Sequence, residues 1–464
     1  MTGIERDPGS FRDPRGRVYE RGGKIYRSIS DIAAQDFEFL QASPVIRTLI
    51  ADGKLTGFEP VEPDVLGDIA GSPAFVVEHP RVPFVSYPYE WSFATLKAAA
   101  LLHLDIQLVA LDGGISLSDA SAYNVQFQGP NPVFIDLLSF RPYRDGELWT
   151  GHRQFCEQFL NPLLLRAKTG VIHNHWYRGS QEGITAQDLR RVLPWRSKLS
   201  PGMLLHVVAQ AALQNSAGGS SLNRSSLKTQ KLPKESYRTM LRKLQTWIST
   251  LEPLGAGRST WQDYARSHSY VDDEVTAKKA FIRDFAAKVK PQTIWDIGCN
   301  SGDYSKAALE GGAKRAIGFD FDPGALELAH ARAVSETLDF LPLMLDGANP
   351  SPSQGWNQQE RKGLQERANA DGVIALAYIH HIAIGRNVPL DDVISWLVGL
   401  APQGVIEFVP KKDPMVIRLL ELRDDIFTDY EEDVFLKSIS SRARIIREEV
   451  VTQNGRKLVW FDRI

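Results

Sequence analysis

The stretch T-I-W-D-I-G-C-N-S-G-D, Thr293 to Asp303, decides how the second half of the chain is read. A short apolar run, Ile294 to Ile297, ends in a glycine-bearing turn, and the turn opens a segment, Tyr304 to Leu309, of helical composition. Strand, glycine turn, helix is the order that brings backbone N–H groups close to a bound cofactor. Twenty-four positions beyond Asp296, a second apolar run, Arg315 to Phe319, closes on Asp320. That spacing suits an acid at the tip of the next parallel strand, where a carboxylate accepts both hydroxyls of a ribose.

The turn is not G-x-G-x-x-G, and the difference points to a particular cofactor. Asp296 stands two residues before Gly298, where a dinucleotide enzyme receives a doubly charged pyrophosphate. A carboxylate there repels phosphate but pairs with the amino group and sulfonium of S-adenosyl-L-methionine. Asn300 takes the usual second-glycine place, and asparagine tolerates the positive φ that such a turn demands. With Gly302 closing it, D-I-G-C-N-S-G resembles the D-x-G-x-G-x-G motif of class I S-adenosylmethionine-dependent methyltransferases. The resemblance covers roughly residues 258–464. It implies an α/β fold: a Rossmann-like sheet with a terminal antiparallel hairpin.

Further strand tips follow in order. Phe340 to Leu345 ends in Asp346, to which the resemblance assigns the adenine amine, and the Pro, Ser and Gln-rich stretch 347–362 reads as a loop near the site. Gly372 to Leu376 makes the fourth strand, tipped by A-Y-I-H-H, residues 377–381. Ligands gather at the carboxyl ends of parallel strands. Methyl transfer is an in-line displacement that needs an aligned acceptor and, for some acceptors, a base. His380 and His381 are the candidates for that base; the alternative is that one of them fixes the loop through hydrogen bonds. Gly404 to Val409 supplies a fifth strand containing Glu407, whose partner the sequence does not name. Ala443 to Val451 and Lys457 to Phe461 flank Asn454-Gly455, a strong hairpin signal. Ahead of the central turn, Val275 to Ala287 reads as an amphipathic helix. Tyr264 and Tyr270 precede it; in related methyltransferases such a segment folds over the cofactor, whereas the plain alternative is aromatic packing.

The N-terminal half carries a second constellation. Arg17 to Ile29 alternates about Gly22-Gly23 as a β-hairpin, a helical stretch runs from Asp31 to about Asp52, and a long apolar helix extends from Phe93 to Leu111 after Y-P-Y-E. Then come L-S-D-A-S-A-Y-N-V-Q-F and P-V-F-I-D-L-L-S-F, so that Asp119 and Asn124 are five apart and Asp136 ends a strand. This is similar to the kinase-like catalytic loop, in which the first Asp orients a hydroxyl while the Asn and the last Asp hold Mg²⁺. No His-Arg precedes Asp119, Leu137-Leu138 replaces Phe-Gly, and no glycine-rich phosphate loop is present. Lys24 and Arg27 are the hairpin cations placed to meet phosphate, with Glu38 as a helix partner. The competing reading makes Asp119 a turn cap, Asn124 a loop bond-maker and Asp136 a strand-end residue.

Trp149 to Ala167 reads as a helix beneath that loop, and His173 and His175 as solvated loop residues. Residues 215–231 are rich in Ser, Gly and Lys and read as a linker, with a connecting helix at about 234–250. The expected division is an α+β, kinase-like domain at 1–214, a linker and helix at 215–257, and a methyltransferase domain at 258–464. Across both halves the chain also looks like bacterial methyltransferases related to the rhizobial nodulation protein NoeA. That resemblance implies a carbohydrate or secondary-metabolite acceptor.

Composition bounds the rest. A length of 464 residues holds two domains, and a formal charge of −2 gives no basic field for nucleic acid. Two cysteines, Cys156 and Cys299, lie too far apart to suggest a disulfide framework or a cysteine metal site. The polar N-terminus lacks the apolar core of a signal peptide, and the long apolar helix is broken by Lys97, His103 and Asp105, so a cytoplasmic protein without a membrane span is expected.

Overall fold

A computed structural model describes residues 3–208, 231–255 and 272–463, and the chain divides into two units. Tyr264, Tyr270 and nearly all of the stretch read as a linker lie outside the described residues.

In the second unit, seven strands form one sheet in the order β12-β11-β10-β13-β14-β16-β15. They are β10 (Thr293–Ile297), β11 (Arg315–Asp320), β12 (Phe340–Met344), β13 (Gly372–Ala375), β14 (Gln403–Phe408), β15 (Ala443–Val450) and β16 (Lys457–Arg463). Neighbours from β12 through β14 run parallel, and β16 enters antiparallel between β14 and β15. Apart from Asp296, Glu407 and a few end residues, the parallel strands are apolar because helices cover both faces. The order reverses at β10 and β13, which creates the crevice at the strand ends where ligands bind in such sheets. This is the Rossmann-like class I methyltransferase arrangement. The helix Asp272–Val289 contributes Phe281, Ile282 and Phe285 to a core completed by Ile294, Phe340, Leu458 and Trp460.

The first unit contains residues 1–127, 131–255 and 353–361. Its larger sheet is antiparallel in the order β1-β2-β3-β5-β4: β1 (Glu5–Arg6), β2 (Gly16–Arg21), β3 (Lys24–Ile29), β4 (Glu59–Val61) and β5 (Phe75–His79). Gly22 and Gly23, at φ 58° and 79°, make the β2–β3 turn that only a residue without Cβ enters freely. The helix Asp31–Ala42 follows β3 and the helix Phe93–Asp112 follows the hinge-like Pro88–Glu90. Two short pairs then frame the acidic loops: β6 (Ile115–Leu117) with β9 (Phe140–Pro142), and β7 (Val125–Gln128) with β8 (Asn131–Phe134). Hairpin, helix, strands, hinge-like segment and long helix follow one another in the order read from the sequence.

Several expectations change. The helical stretch 31–52 breaks at Ser43, held extended at φ −71°, ψ 127° before Pro44, which starts a new helix, Pro44–Ala51. The helix Lys234–Ser249 is not a connector: it packs in the first unit, with Tyr237 Oη accepting from Gln107 Nε2 at 3.1 Å. Of the stretch read as a loop near the methyl-transfer site, residues 353–361 belong to the first unit. His173 is buried, not solvated. The helix Phe93–Asp112 is long and apolar enough to cross a membrane by length and composition, yet much of it is buried, and Lys97 Nζ donates to Leu251 O at 2.7 Å.

Candidate active site

The turn after β10 is built from residues that accept left-handed backbone. Gly298, Asn300 and Gly302 have φ of 81°, 49° and 81°. Asn300 is tolerated there because its side chain satisfies local backbone, accepting from Ser301 N at 2.7 Å. At Gly302 an added Cβ would also run into the Phe340 ring, and at Gly298 it would stand 3.1 Å from Tyr378. The helix Asp303–Glu310 starts directly after this turn.

Asp296, set by the charge argument against a cationic ligand, is enclosed by protein. It is 1% exposed, and its carboxylate accepts from Ser305 Oγ at 2.6 Å. Burial pushes its pKa up to about 7. A strand residue inside a covered parallel sheet turns its side chain into the layers above or below, so Asp296 ties β10 to the following helix.

Asp320, at the end of β11, accepts from Asn300 N at 2.8 Å and Asp322 N at 2.9 Å, one bond to each oxygen. Burial raises its pKa to about 6, against the lowering pull of those N–H groups. Asp346, just past β12, accepts from Ala348 N at 3.1 Å and lies 3.4 Å from Arg386 Nη2. Two aromatics that sequence reading passed over complete the crevice. Phe321 follows Asp320 and is 51% exposed, an apolar face beside the acid. Tyr378 extends from Gly298 to Gly347, where an added Cβ would overlap its hydroxyl, and that buried hydroxyl has no hydrogen-bond partner among the described residues. Burial and the charges of Asp346 and Asp320 raise the Tyr378 pKa. Aromatic residues after strand tips were visible in the sequence, but nothing there showed which would be left uncovered.

The histidine pair is placed differently from expectation. His380 is 0% exposed in the helix Ile379–Ala383 and its ring centre lies 4.1 Å from that of His381, so it cannot meet an acceptor. His381 is partly exposed, and burial together with Arg456 pushes it down to about 4. Beneath both runs a buried charge network. Glu407 on β14 pairs with Lys278 Nζ at 2.6 Å, the side chains 0% and 2% exposed, and accepts from Ala377 N at 2.7 Å. Ala377 has φ 49°, an uncommon conformation for alanine, at the strand tip itself. Asp413 holds Arg456 through two bonds of 2.8 and 2.9 Å.

In the first unit the kinase-like residues come together. Asn124 Nδ2 lies 3.2 Å from Asp119 Oδ2 and 3.5 Å from Asp136 Oδ2. Arg27 on β3 forms an ion pair with Asp136, which also accepts from Ser139 Oγ. Lys24 instead pairs with Glu78, and Glu38 is exposed; Asp36, nearer the inner face of its helix, pairs with Arg15. Asp119 also caps Ser121 N at 3.0 Å, so the turn-capping reading and the loop reading both describe it. Burial and the charge of Asp136 raise its pKa.

No family model matches the chain. It is 47% identical over 459 residues to the nodulation protein NoeA of Rhizobium meliloti (strain 1021), covering 99% of this chain and 96% of that protein. It is 25% identical over 179 residues to ribosomal RNA small subunit methyltransferase H of Synechococcus sp. (strain JA-2-3B'a(2-13)), covering 36% of this chain and 52% of that one. Among solved structures, the N-methyltransferase NodS from Bradyrhizobium japonicum WM9 in complex with S-adenosyl-l-homocysteine matches at a TM-score of 0.32 and 11% identity, over 44% of this chain and 99% of that one. The bifunctional kinase-methyltransferase WbdD matches at a TM-score of 0.29 and 16% identity, over 47% of this chain and 46% of that one. With near-complete coverage of both proteins in the first of these matches, the chain belongs to the NoeA family of nodulation proteins.

Proposed function

We propose that the second unit is an S-adenosylmethionine-dependent methyltransferase acting on a small-molecule acceptor, with carbohydrate the favoured class. One observation carries the reading: the left-handed turn at Gly298–Gly302, the Asp320 and Asp346 carboxylates, and the unpartnered Tyr378 hydroxyl converge at one end of a parallel sheet. These residues fit the cofactor. The turn lets backbone approach closely, Asp320 retains lone pairs for ribose hydroxyls, Phe321 offers a face to adenine, and Asp346 accepts an amine. When bound, S-adenosylmethionine supplies an activated methyl group. The carbohydrate assignment draws on NoeA's being a nodulation protein.

The residues at the β13 tip align the acceptor. An imidazole at about 4 is a weak base at neutral pH, so His381 acts as a positioning residue. His381→Gln should lower kcat by less than about tenfold and leave the pH profile unchanged, since a true general base contributes roughly 10²–10⁴-fold. A loss in that larger range with a displaced pH profile would restore His381 as the base. The functional reading is tested by calorimetry of the full chain with S-adenosylmethionine and NAD, followed by transfer of labelled methyl into small-molecule extracts. Binding of NAD alone overturns it, and S-adenosylmethionine binding without turnover in any extract supports a non-catalytic scaffold.

A second reading concerns the first unit, where Asp119, Asn124 and Asp136 meet within hydrogen-bond reach. Two acids and an amide in that arrangement suit Mg²⁺-ATP and phosphoryl transfer, which would make the chain bifunctional. Mg²⁺-ATP should then produce binding heat with the full chain, and Asp136→Ala should abolish it. Equal heats from the two proteins, or none from either, would leave these residues as a loop brace.

A further inference from the structure

Apart from both sites, three ligating side chains meet in the first unit. His152 opens the helix His152–Phe155, Cys156 follows one turn later at the start of a π-helical turn, Cys156–Leu160, and His206 comes from a second π-helical turn, Leu204–Val208. His152 Nε2 lies 2.9 Å from His206 Nδ1 and 3.7 Å from Cys156 Sγ, and the three ligating atoms all fall within 4.8 Å of one another. A tetrahedral ion with metal–nitrogen bonds of about 2.0–2.1 Å and a metal–sulfur bond of about 2.3 Å keeps such atoms roughly 3.3–3.6 Å apart. Parting the two rings by about 0.5 Å brings the His152–His206 separation to that range, and the His152–Cys156 separation is already close to it.

Two further observations favour a ligand over a chance cluster. A π-helical turn worsens hydrogen-bond geometry and recurs at functional sites, and here two separate segments each use one to present a ligating atom. The surroundings are also dry: Cys156 is 0% exposed, with Trp149 5.5 Å from the His152 ring and Trp247 6.0 Å from His206. Sequence spacing hid the cluster because His206 lies 54 residues from His152.

We propose that His152, Cys156 and His206 bind one Zn²⁺ ion, holding three of its four tetrahedral positions. Two imidazoles and a thiolate match zinc's ligand preference, and binding releases the Cys156 thiol proton. The ion would fix the helix that carries the Asp119–Asn124 loop. From that helix Gln154 Oε1 accepts from Ala120 N at 2.9 Å, and Gln158 Oε1, in the adjoining π turn, accepts from Ala122 N at 2.8 Å.

The test is elemental analysis of the full chain, expressed with zinc and dialysed against metal-free buffer. One zinc per chain is expected, lost in Cys156→Ser and in His206→Ala. Because either variant could fail to fold, Co²⁺ is also added to metal-stripped wild-type and Cys299→Ser chains. Both should give tetrahedral cobalt bands with a sulfur-to-metal charge-transfer band. Zinc-free wild type without a cobalt band, a sulfur band lost in Cys299→Ser, or retention of copper in place of zinc overturns the proposal.

Discussion

Glu407→Ala should destabilise the second unit by about 3–5 kcal/mol, the cost of leaving one charge of a buried pair without its partner. Lys278 is 2% exposed and cannot reach water without dragging its helix from the sheet. Arg456 Nη1, 3.9 Å from Glu407, would add a second uncompensated charge if Asp413 did not hold it. The substitution also frees the Ala377 N–H, whose bond to Glu407 keeps the β13 tip in its left-handed conformation. Urea unfolding with hydrogen exchange read at residues 372–381 should show a lowered midpoint and faster exchange at that tip. The double variant Lys278→Met, Glu407→Leu should recover part of the loss, because a buried pair exchanged for apolar residues of similar size is often nearly neutral. A single variant within about 0.5 kcal/mol of wild type, the range of an ordinary surface change, would show that the network carries no weight.

This network marks the limit of what the sequence reveals. The glycine turn was legible because its information lies in consecutive residues: an apolar run, then Gly298, Asn300 and Gly302 at fixed offsets. The acid-ended strands were legible because β11 and β12 are short, apolar and punctuated by Asp320 and Asp346. Glu407 gave no clue to its partner, since Lys278 arrives from the helix before β10 and the pairing exists only once sheet and helix are stacked. Asp296 misled for a related reason. Its place in the motif was right, but strand alternation does not say which covering layer a side chain enters. The same ambiguity affected Glu38, two residues from Asp36 and thus on another side of the helix. His380 and His381 look equivalent as neighbours, yet a five-residue helix buries one and leaves the other at the edge.

Asp320→Ala should weaken S-adenosylmethionine binding by about 1–3 kcal/mol, roughly 5- to 150-fold in Kd. The carboxylate has two tasks, and the substitution removes both. It ends the acceptor that ribose hydroxyls would use, and it releases the Asn300 and Asp322 N–H groups that shape the turn. Asp320→Asn separates the tasks, since the amide oxygen keeps one bond to the turn while the charge is gone. The pH dependence follows from the pKa of about 6. Hydroxyls donate to the ionised acid, so wild-type affinity should be flat above about pH 7 and fall toward tenfold per unit as pH drops below 6. The free protein's own stability runs the opposite way. A carboxyl raised above its unfolded value of about 3.9 favours the protonated folded state, so this contribution is complete below that value and is lost as pH rises through 6. Cofactor affinity and unit stability should therefore respond to pH in opposite directions, and Asp320→Asn should flatten both responses. Calorimetry at about pH 5.5 and 7.5, paired with unfolding at the same two values, reads the two signs independently. Affinity unchanged by Asp320→Ala would remove the acid from the cofactor site, and a wild-type affinity that rises on acidification would mean that its protonated form makes the contact.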